Sequence, residues 1–166
     1  MPESHHLAQV NVGRLRAPID SPELADFVAA LDPVNALADA SPGFVWRLQT
    51  DDGDATAIRV FDDEMIAINM SVWESLEALS DFVFGPAHVS IMRRRREFFE
   101  RMEEAYLALW WVPAGHEPDT AEAKERLEAL RRDGPTPFAF TVRHSFPPPD
   151  RPGGEPIVDD RWACPA

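Results

Sequence analysis

His88 is the side chain in this sequence with the strongest case for acid–base or metal chemistry. Two residues before it, Gly85-Pro86 predicts a break and a new helix, because proline at the first helical positions costs no hydrogen bond. About three positions into that helix, the positive end of the helix dipole would lower the pKa of the imidazole. A neutral imidazole can act as a general base or ligate a metal. The alternative is a structural hydrogen bond to the backbone.

Polar side chains interrupt one face of several predicted strands. One alternating set in each strand is almost wholly apolar, and the other contains Gln9, Asn11, Arg47, Arg59 and Asn69. A sheet covered by helices on one side gives this pattern. Its second face is either solvated or a partly polar interior shared between two subunits. The interior is favoured by the apolar members of that face, Leu7, Val45, Phe61 and Met65.

Tryptophans and arginines provide further candidates. Trp110 and Trp111 are adjacent on a predicted strand, so one faces the helices as core and the other offers a cavity a flat platform for a planar ligand. Four consecutive arginines, 93–96, cover every direction around a helix, so at least one lies near its apolar side. They form either a solvated face of Glu–Arg pairs or a source of one guanidinium for an anionic substrate.

Motifs for several common chemistries are missing. The sequence has no HxxxH, HxH or HExxH spacing, so it predicts no preformed zinc or iron site. Histidines from separate elements, including His116 and His144, remain the other route to a metal. GxSxG, P-loop and GxGxxG motifs are also absent, which leaves serine hydrolysis, nucleotide phosphates and Rossmann cofactors unsupported. Cys164 is a lone cysteine and cannot form an internal disulfide.

Composition narrows the partners. The 166 residues predict one domain, and 45% hydrophobic content is ample for one core. A formal net charge of −13 argues against nucleic acid and against an anionic membrane surface. The N-terminus lacks the features of a signal peptide, and no apolar run approaches the roughly 20 residues of a membrane span. We therefore expect a cytoplasmic protein without a membrane partner.

The predicted elements alternate between sheet and helix. Helices are expected over residues 22–40 with a kink at Pro33, 75–84, 86 to about 104, and 120–133. Strands are expected over residues 7–14, 44–49, 57–61, 65–72, 106–112 and 138–142.

These residues resemble known families at two levels. The order strand–helix–strands–helix–strand, with Trp73-Glu74-Ser75 leading into a helix, is similar to the dimeric α/β-barrel superfamily of antibiotic-biosynthesis and haem-degrading monooxygenases. A longer set of motifs resembles the DUF3291 family: His88, the arginine-rich helix, LWWVPAGH at 109–116, Glu122-Ala123, and GPTPFAF at 134–140. That match covers roughly residues 5–146.

The resemblance implies an α+β fold: a ferredoxin-like subunit with an antiparallel sheet covered by helices on one face. Residues 5–146 would form this domain, followed by a Pro-rich acidic tail, 147–166. The sheet would pair with that of a second subunit in a homodimer, with a small-molecule cavity between sheet and helices. The resemblance brings no established reaction for DUF3291.

Haem-degrading relatives use an asparagine on the first strand, a tryptophan on the second main helix, and a histidine that ligates iron. By resemblance, Asn11 and His88 would occupy comparable places. Phe82 stands at the tryptophan position, and the gap between Trp73 and His88 is shorter than in those relatives. Both features depart from the haem-degrading pattern.

Two hypotheses follow. In the first, the protein is a small-molecule enzyme, such as a monooxygenase, isomerase or cyclase of secondary metabolism, with an apolar or planar substrate. Asn11 would orient the substrate, His88 would be the base or axial ligand, and Arg47 or Arg59 would stabilise a developing anion. The substrate would be bound by Gln9, Arg59, Asn69, Trp73, Phe82, Trp110 and Trp111. In the second, a non-catalytic protein of the same fold binds haem, with His88 as the metal ligand, or a lipophilic metabolite. The cofactor is thus either none or haem.

Overall fold

A four-stranded antiparallel sheet forms the centre of the molecule. The computed structural model describes residues 4–51, 53–151 and 155–160; Cys164 and the end of the predicted tail lie outside these ranges. The strands are β1 (His5–Arg14), β2 (Phe44–Arg47), β3 (Ile66–Trp73) and β4 (Leu107–Pro113), and their order in the sheet is β2-β3-β1-β4. With one helical segment between β1 and β2 and another between β3 and β4, this is the ferredoxin-like topology. The predicted α+β fold class is confirmed.

The register of β1 and β3 gives the sheet two different faces. Gln9 lies opposite Ser71, and Asn11 lies opposite Asn69, so four polar side chains share one face. The other face is apolar and contributes to the largest buried cluster, which includes Ala8, Val10, Val12, Ile68, Met70, Val72, Ala108, Trp110 and Val112. The alternation in the sequence therefore predicted correctly which side chains of β1 and β3 lie on each face of the sheet.

Four helices lie on the side of the sheet that carries the polar face. They are α1 (Ala25–Ala40), which a 3-10 turn at Pro22–Leu24 precedes, α2 (Leu76–Val83), α3 (Pro86–Arg93) and α4 (Arg95–Phe98). Ser75 caps α2, because its Oγ accepts a hydrogen bond from the Ala78 amide at 3.1 Å. Gly85 precedes Pro86 at the start of α3, as the sequence predicted.

A fifth helix, α5 (Thr120–Asp133), covers the apolar face. Asp119 caps it by accepting a hydrogen bond from the Glu122 amide at 2.8 Å. Its buried side chains Ala123, Leu127 and Leu130 belong to the cluster on the apolar face of the sheet. The expectation that helices cover one face therefore needs a correction: helices of the same chain cover both faces.

Residues 57–61 do not form the predicted strand. The segment between β2 and β3 is irregular, with tight turns such as the hydrogen bond from the Ile58 amide to the Ala55 carbonyl at 3.1 Å. Ile58, Val60 and Phe61 nevertheless pack against the apolar face of the sheet. The alternation predicted the side of Ile58 and Val60 correctly, but it was wrong for Phe61, which was expected on the other face with Arg59, because turns replace the strand.

The arginine-rich helix is shorter than predicted. It breaks at Arg94 and ends at Phe98, and Phe99 forms a bridge with Leu15. The Arg16 amide donates to the Phe98 carbonyl at 2.9 Å, and the Glu100 amide donates to the Arg14 carbonyl at 2.8 Å. The chain after Phe98 therefore becomes extended because it pairs with the end of β1.

The end of the described chain also departs from prediction. Instead of a strand over 138–142, Phe140 makes an isolated bridge to Leu109, and two-residue strands β5 (His144–Ser145) and β6 (Ile157–Val158) pair with each other. Part of the predicted tail is thus hydrogen-bonded to the body. None of the helices in the described ranges has the length and apolar character needed to cross a bilayer.

Candidate functional site

A cavity of about 670 Å³ lies between the polar face of the sheet and the helices. One side of α1 forms its roof, through residues at helical spacing: Phe27, Ala30, Leu31, Val34, Asn35 and Ala38. Ala38 is the one fully covered residue of α1. The apolar residues on this side of α1 therefore face a ligand-sized space instead of a packed interior, while Val28 and Leu37 on its other side are exposed.

The floor of the cavity is a hydrogen-bonded strip of neutral polar side chains. Gln9 Nε2 donates to Asn69 Oδ1 and to Ser71 Oγ, both at 2.8 Å. Asn11 Nδ2 donates to Gln9 Oε1 at 3.1 Å and to Asn69 Oδ1 at 3.2 Å. Gln9 thus uses both of its N–H groups and its oxygen within the strip, and it is 5% exposed. It holds its neighbours in place.

The same network determines what the strip offers to a ligand. Both N–H groups of Asn11 are donated inside the strip, which leaves its Oδ1 as an acceptor. Asn69 accepts inside the strip, so its Nδ2 remains a donor. Ser71 Oγ accepts from Gln9 and from Trp73 Nε1, the latter at 2.9 Å, so its own hydroxyl proton is available to donate.

His88 lines the cavity from α3. Its Nδ1 lies 3.1 Å from the Val83 carbonyl oxygen. A carbonyl only accepts hydrogen bonds, so Nδ1 carries the proton and Nε2 keeps a lone pair. Burial lowers the pKa of His88, and the hydrogen bond to Val83 opposes this only in part. The lowered pKa agrees with the sequence prediction, but burial is the main cause.

An aromatic wall connects His88 to the floor. The His88 ring lies 5.2 Å from the Phe82 ring, and Phe82 stacks on Trp73 with 5.3 Å between centroids. Phe44 meets Trp73 edge-on at 5.4 Å. Because the Trp73 indole donates a hydrogen bond to Ser71, one end of this wall contacts the polar strip. Trp73 and Phe82, both predicted as substrate-binding residues, line the cavity.

Arg47 and Arg59 also line the cavity, but in different states. Arg47 is held by Asp39, through Nε to Oδ1 at 2.8 Å and Nη2 to Oδ2 at 3.3 Å, and it donates to the Gly53 carbonyl at 2.6 Å. Asp39 therefore neutralises much of its charge. Arg59 is exposed and donates to the Thr56 carbonyl at 2.5 Å. It reaches the cavity from the irregular segment, not from a strand.

Neither Trp110 nor Trp111 is among the described residues that line the cavity, which corrects the prediction for both. Trp110 lies on the apolar face, and its indole donates to Glu122 Oε1 of α5 at 2.9 Å. Trp111 shares the face of Gln9, but Phe140 packs against its ring at 6.4 Å and its indole donates to the Phe146 carbonyl at 2.8 Å. The chain segment with Phe140 and Phe146 thus covers the Trp111 ring, which was predicted to be open to a planar ligand.

Two site residues were not singled out from the sequence. Ser71 is the hydrogen-bond acceptor at the centre of the floor. Because it lies two residues after Asn69 on the same strand, the alternation of side chains could have placed it on the same face. Arg95 is the member of the arginine run that lines the cavity, and its guanidinium carbon lies 4.9 Å from the Phe99 ring centroid and 4.7 Å from the Tyr106 ring centroid. Within the described ranges, no group of three or more His, Cys, Asp or Glu side chains is assembled to hold a metal ion.

The sheet order and the cavity define a ferredoxin-like α+β protein with an internal small-molecule-sized site. The sequence profile described as "Domain of unknown function (DUF3291)" matches residues 6–155, and the chain belongs to this family. No curated protein matches the chain.

Solved structures of similar fold share little sequence with this chain. PA3566 from Pseudomonas aeruginosa is 12% identical, with 70% of this chain and 100% of that chain covered and a TM-score of 0.46. Rv0793 from Mycobacterium tuberculosis is 15% identical, covering 69% and 99%, with a TM-score of 0.44. SnoaB, a cofactor-independent oxygenase from Streptomyces nogalater, is 18% identical, covering 69% and 98%, with a TM-score of 0.43.

Proposed function

We propose that the protein is an enzyme that removes a proton from a planar, largely apolar small molecule bound in the cavity. The observation that supports this proposal best is the state of His88: a neutral imidazole whose Nδ1 is engaged by the Val83 carbonyl and whose Nε2 keeps its lone pair. A general base must be unprotonated at the working pH, and a lowered pKa ensures this.

The remaining parts of the site fit the same step. A flat substrate would stack against the wall of Trp73 and Phe82, next to His88. Loss of a proton from carbon places negative charge on a neighbouring carbonyl oxygen. Asn69 Nδ2 and the Ser71 hydroxyl would donate to that oxygen, and Asn11 Oδ1 would accept from a substrate hydroxyl. Gln9 acts as a positioning residue.

Arg47 and Arg59, which line the cavity from β2 and the segment after it, would stabilise the negative charge that develops on the substrate. Arg59 contributes more than Arg47, because Asp39 already compensates the Arg47 guanidinium. Isomerisation, cyclisation and cofactor-free oxygenation of a secondary metabolite can each begin with this deprotonation. The proposal therefore concerns the common first step.

Hydrogen–deuterium exchange tests the step directly. The probe is 2-tetralone, a bicyclic ketone with acidic C–H groups beside its carbonyl, incubated with the protein in D₂O and followed by proton NMR. We expect wild type to accelerate exchange above buffer. His88→Gln should lower the enzymatic rate by about 10²–10⁴-fold, the usual contribution of a general base.

His116→Gln is the matched control, because His116 is an exposed histidine whose partner is Glu122, outside the cavity. It should retain the wild-type rate. Exchange in wild type no faster than in buffer, or an unchanged rate in His88→Gln, would contradict the proposal.

The second candidate function is non-catalytic binding of haem or a lipophilic metabolite. The His88 lone pair supports haem, since Nε2 of this neutral imidazole would hold the haem iron within the aromatic cavity. Hemin titration should then give a Soret band that is lost in His88→Ala. Identical hemin spectra for wild type and His88→Ala would exclude iron ligation by this residue.

A further inference from the structure

We infer that the end of the cavity around Gly13 and Ala67 is a subsite for a hydrocarbon chain of the bound molecule. The inference rests on the proposed function, because the chain belongs to the same planar small molecule that would stack beside His88. It adds the substrate class: an uncharged aryl ketone with an unbranched alkyl chain.

The floor of the cavity changes from polar to apolar along β1 and β3. The polar strip ends with the pair of Asn11 and Asn69, and the next pair on the same face is Gly13 and Ala67. Leu15 follows Gly13 on that face and also lines the cavity. The side chains in this part of the floor offer no hydrogen bond, so they can contact only apolar parts of a ligand.

Apolar surface at this end is left open to the cavity. Ile19, Phe27 and Ala67 are only partly buried, although they pack against the buried cluster that contains Leu15 and Phe99. All three line the cavity. A hydrocarbon chain bound here would remove their remaining apolar surface from water, which is favourable in proportion to the area covered.

The shape of this end suits a chain better than a ring. At the His88 end, Trp73 and Phe82 are stacked with 25° between their planes, so a flat ring can lie along them. At the other end, Phe27 and Phe99 meet edge-on, with 88° between their planes and 5.2 Å between centroids. Crossed rings share no plane, and a flexible chain adapts to them. An uncharged chain makes no demand on Arg95, whose guanidinium carbon lies 4.9 Å from the Phe99 ring centroid.

The roof of the cavity is long enough for both parts of such a molecule. Phe27 and Ala38 lie at opposite ends of the lining side of α1, eleven residues apart, which is about 16 Å along a helix axis. Ala38 belongs to the cluster that contains Trp73, and Phe27 contacts Phe99. This length exceeds that of two fused six-membered rings. The rings would therefore lie at the Trp73 wall, the carbonyl at the polar strip and the chain beyond it.

A homologous series of ketones tests the subsite by isothermal titration calorimetry. The probes are 2-naphthyl ketones whose unbranched acyl chains have two, four and six carbons. In wild type, each added methylene group should tighten binding by about fourfold, the gain expected when a methylene group leaves water for an apolar site.

Two variants fill the subsite from opposite sides. Ala30 lines the roof one turn of α1 after Phe27, and Ala67 lies in the floor. Ala30→Leu and Ala67→Leu should each remove most of the gain from lengthening the chain, because the added side chain occupies the space. Ala29→Leu is the matched control: it makes the same substitution on the same helix at an exposed residue outside the cavity lining. It should keep the fourfold gain.

The subsite and the proposed base fail in different ways. Equal affinities for the three ketones in wild type, or an equal gain per methylene group in all three variants, would overturn the subsite. Binding of none of the ketones would also overturn it. A gain that Ala30→Leu and Ala67→Leu remove supports the subsite even if 2-tetralone, which has no chain, exchanges no faster than in buffer. Circular dichroism confirms that each variant is folded.

Discussion

His88 carries its proton on Nδ1 because the Val83 carbonyl can only accept a hydrogen bond. The ring is partly buried against Phe82, and this burial disfavours the imidazolium form. The hydrogen bond to Val83 favours the charged form but is the smaller effect. One side chain thus combines a fixed tautomer with a lowered pKa, which is the state that a general base or a metal ligand requires.

The lowered pKa of His88 also makes folding stability depend on pH. Because the folded pKa lies below the ordinary value of 6.5, the unfolded chain binds more protons in mildly acidic solution. The stabilisation is complete above about pH 6.5 and is lost as the pH falls through the lowered folded pKa. Between about pH 7.5 and pH 5, wild type should lose more unfolding free energy than His88→Gln, measured by urea denaturation.

Ser90→Ala is the control for this comparison, because Ser90 is exposed on the same helix and the substitution leaves His88 in place. It should show the wild-type dependence on pH. Parallel pH profiles for wild type and His88→Gln would show that the ring is not held neutral by folding.

At the residue scale, the sequence predicted the floor of the site better than its ends. Side chains alternate strictly along a strand, so Gln9, Asn11 and Asn69 could be assigned to one face without coordinates. The choice between Trp110 and Trp111 could not be made, because the chain that covers Trp111 returns from distant residues. Arg95 could not be chosen from four consecutive arginines, because the break at Arg94 changes the helical phase.

At the scale of elements, the position of the Phe99 ring beside Arg95 depends on a close approach between β1 and the chain after α4. Phe99 bridges Leu15, and its ring lies over Gly13. The sequence predicted a helix to about residue 104, because its apolar residues have helical spacing. Pairing with the end of β1 overrides that local preference, since it satisfies the backbone groups of Arg14 and Arg16.

Gly13→Ala tests this close approach. The new Cβ would lie 2.7 Å from Phe99 Cε1, a distance that buried side chains do not tolerate without movement. We expect a loss of about 1–3 kcal/mol in the free energy of unfolding, from the urea midpoint, as for other overpacked sites.

The double variant Gly13→Ala/Phe99→Leu separates this clash from a backbone effect. Leucine lacks the ring that meets the new methyl group, so adding Gly13→Ala to Phe99→Leu should cost less than adding it to wild type. An equal cost in both backgrounds would place the cause in the backbone and contradict the packing described here.

At the scale of the whole molecule, one chain supplies both layers around the sheet. Helix α5 and the irregular segment after β2 cover the apolar face, while α1 forms the roof of the cavity on the other. Alternation in the sequence predicted the sheet and its two faces, and the family resemblance implied the cavity between sheet and helices. The sequence did not predict that α5 covers the apolar face of the sheet. It shows α5 as an ordinary amphipathic helix, and which surface such a helix packs against depends on chain topology.

The family resemblance predicts a homodimer, and sedimentation equilibrium measures it. We expect a mass twice the 18.6 kDa of the chain at micromolar concentration. Each copy carries a net charge of −13, so two copies repel each other at long range. Raising the salt concentration from about 50 to 300 mM screens this repulsion and should therefore increase the dimer fraction. An interface held mainly by ion pairs would respond in the opposite direction. A mass near 18.6 kDa at both salt concentrations would contradict the dimer and leave the cavity as the property of a single chain.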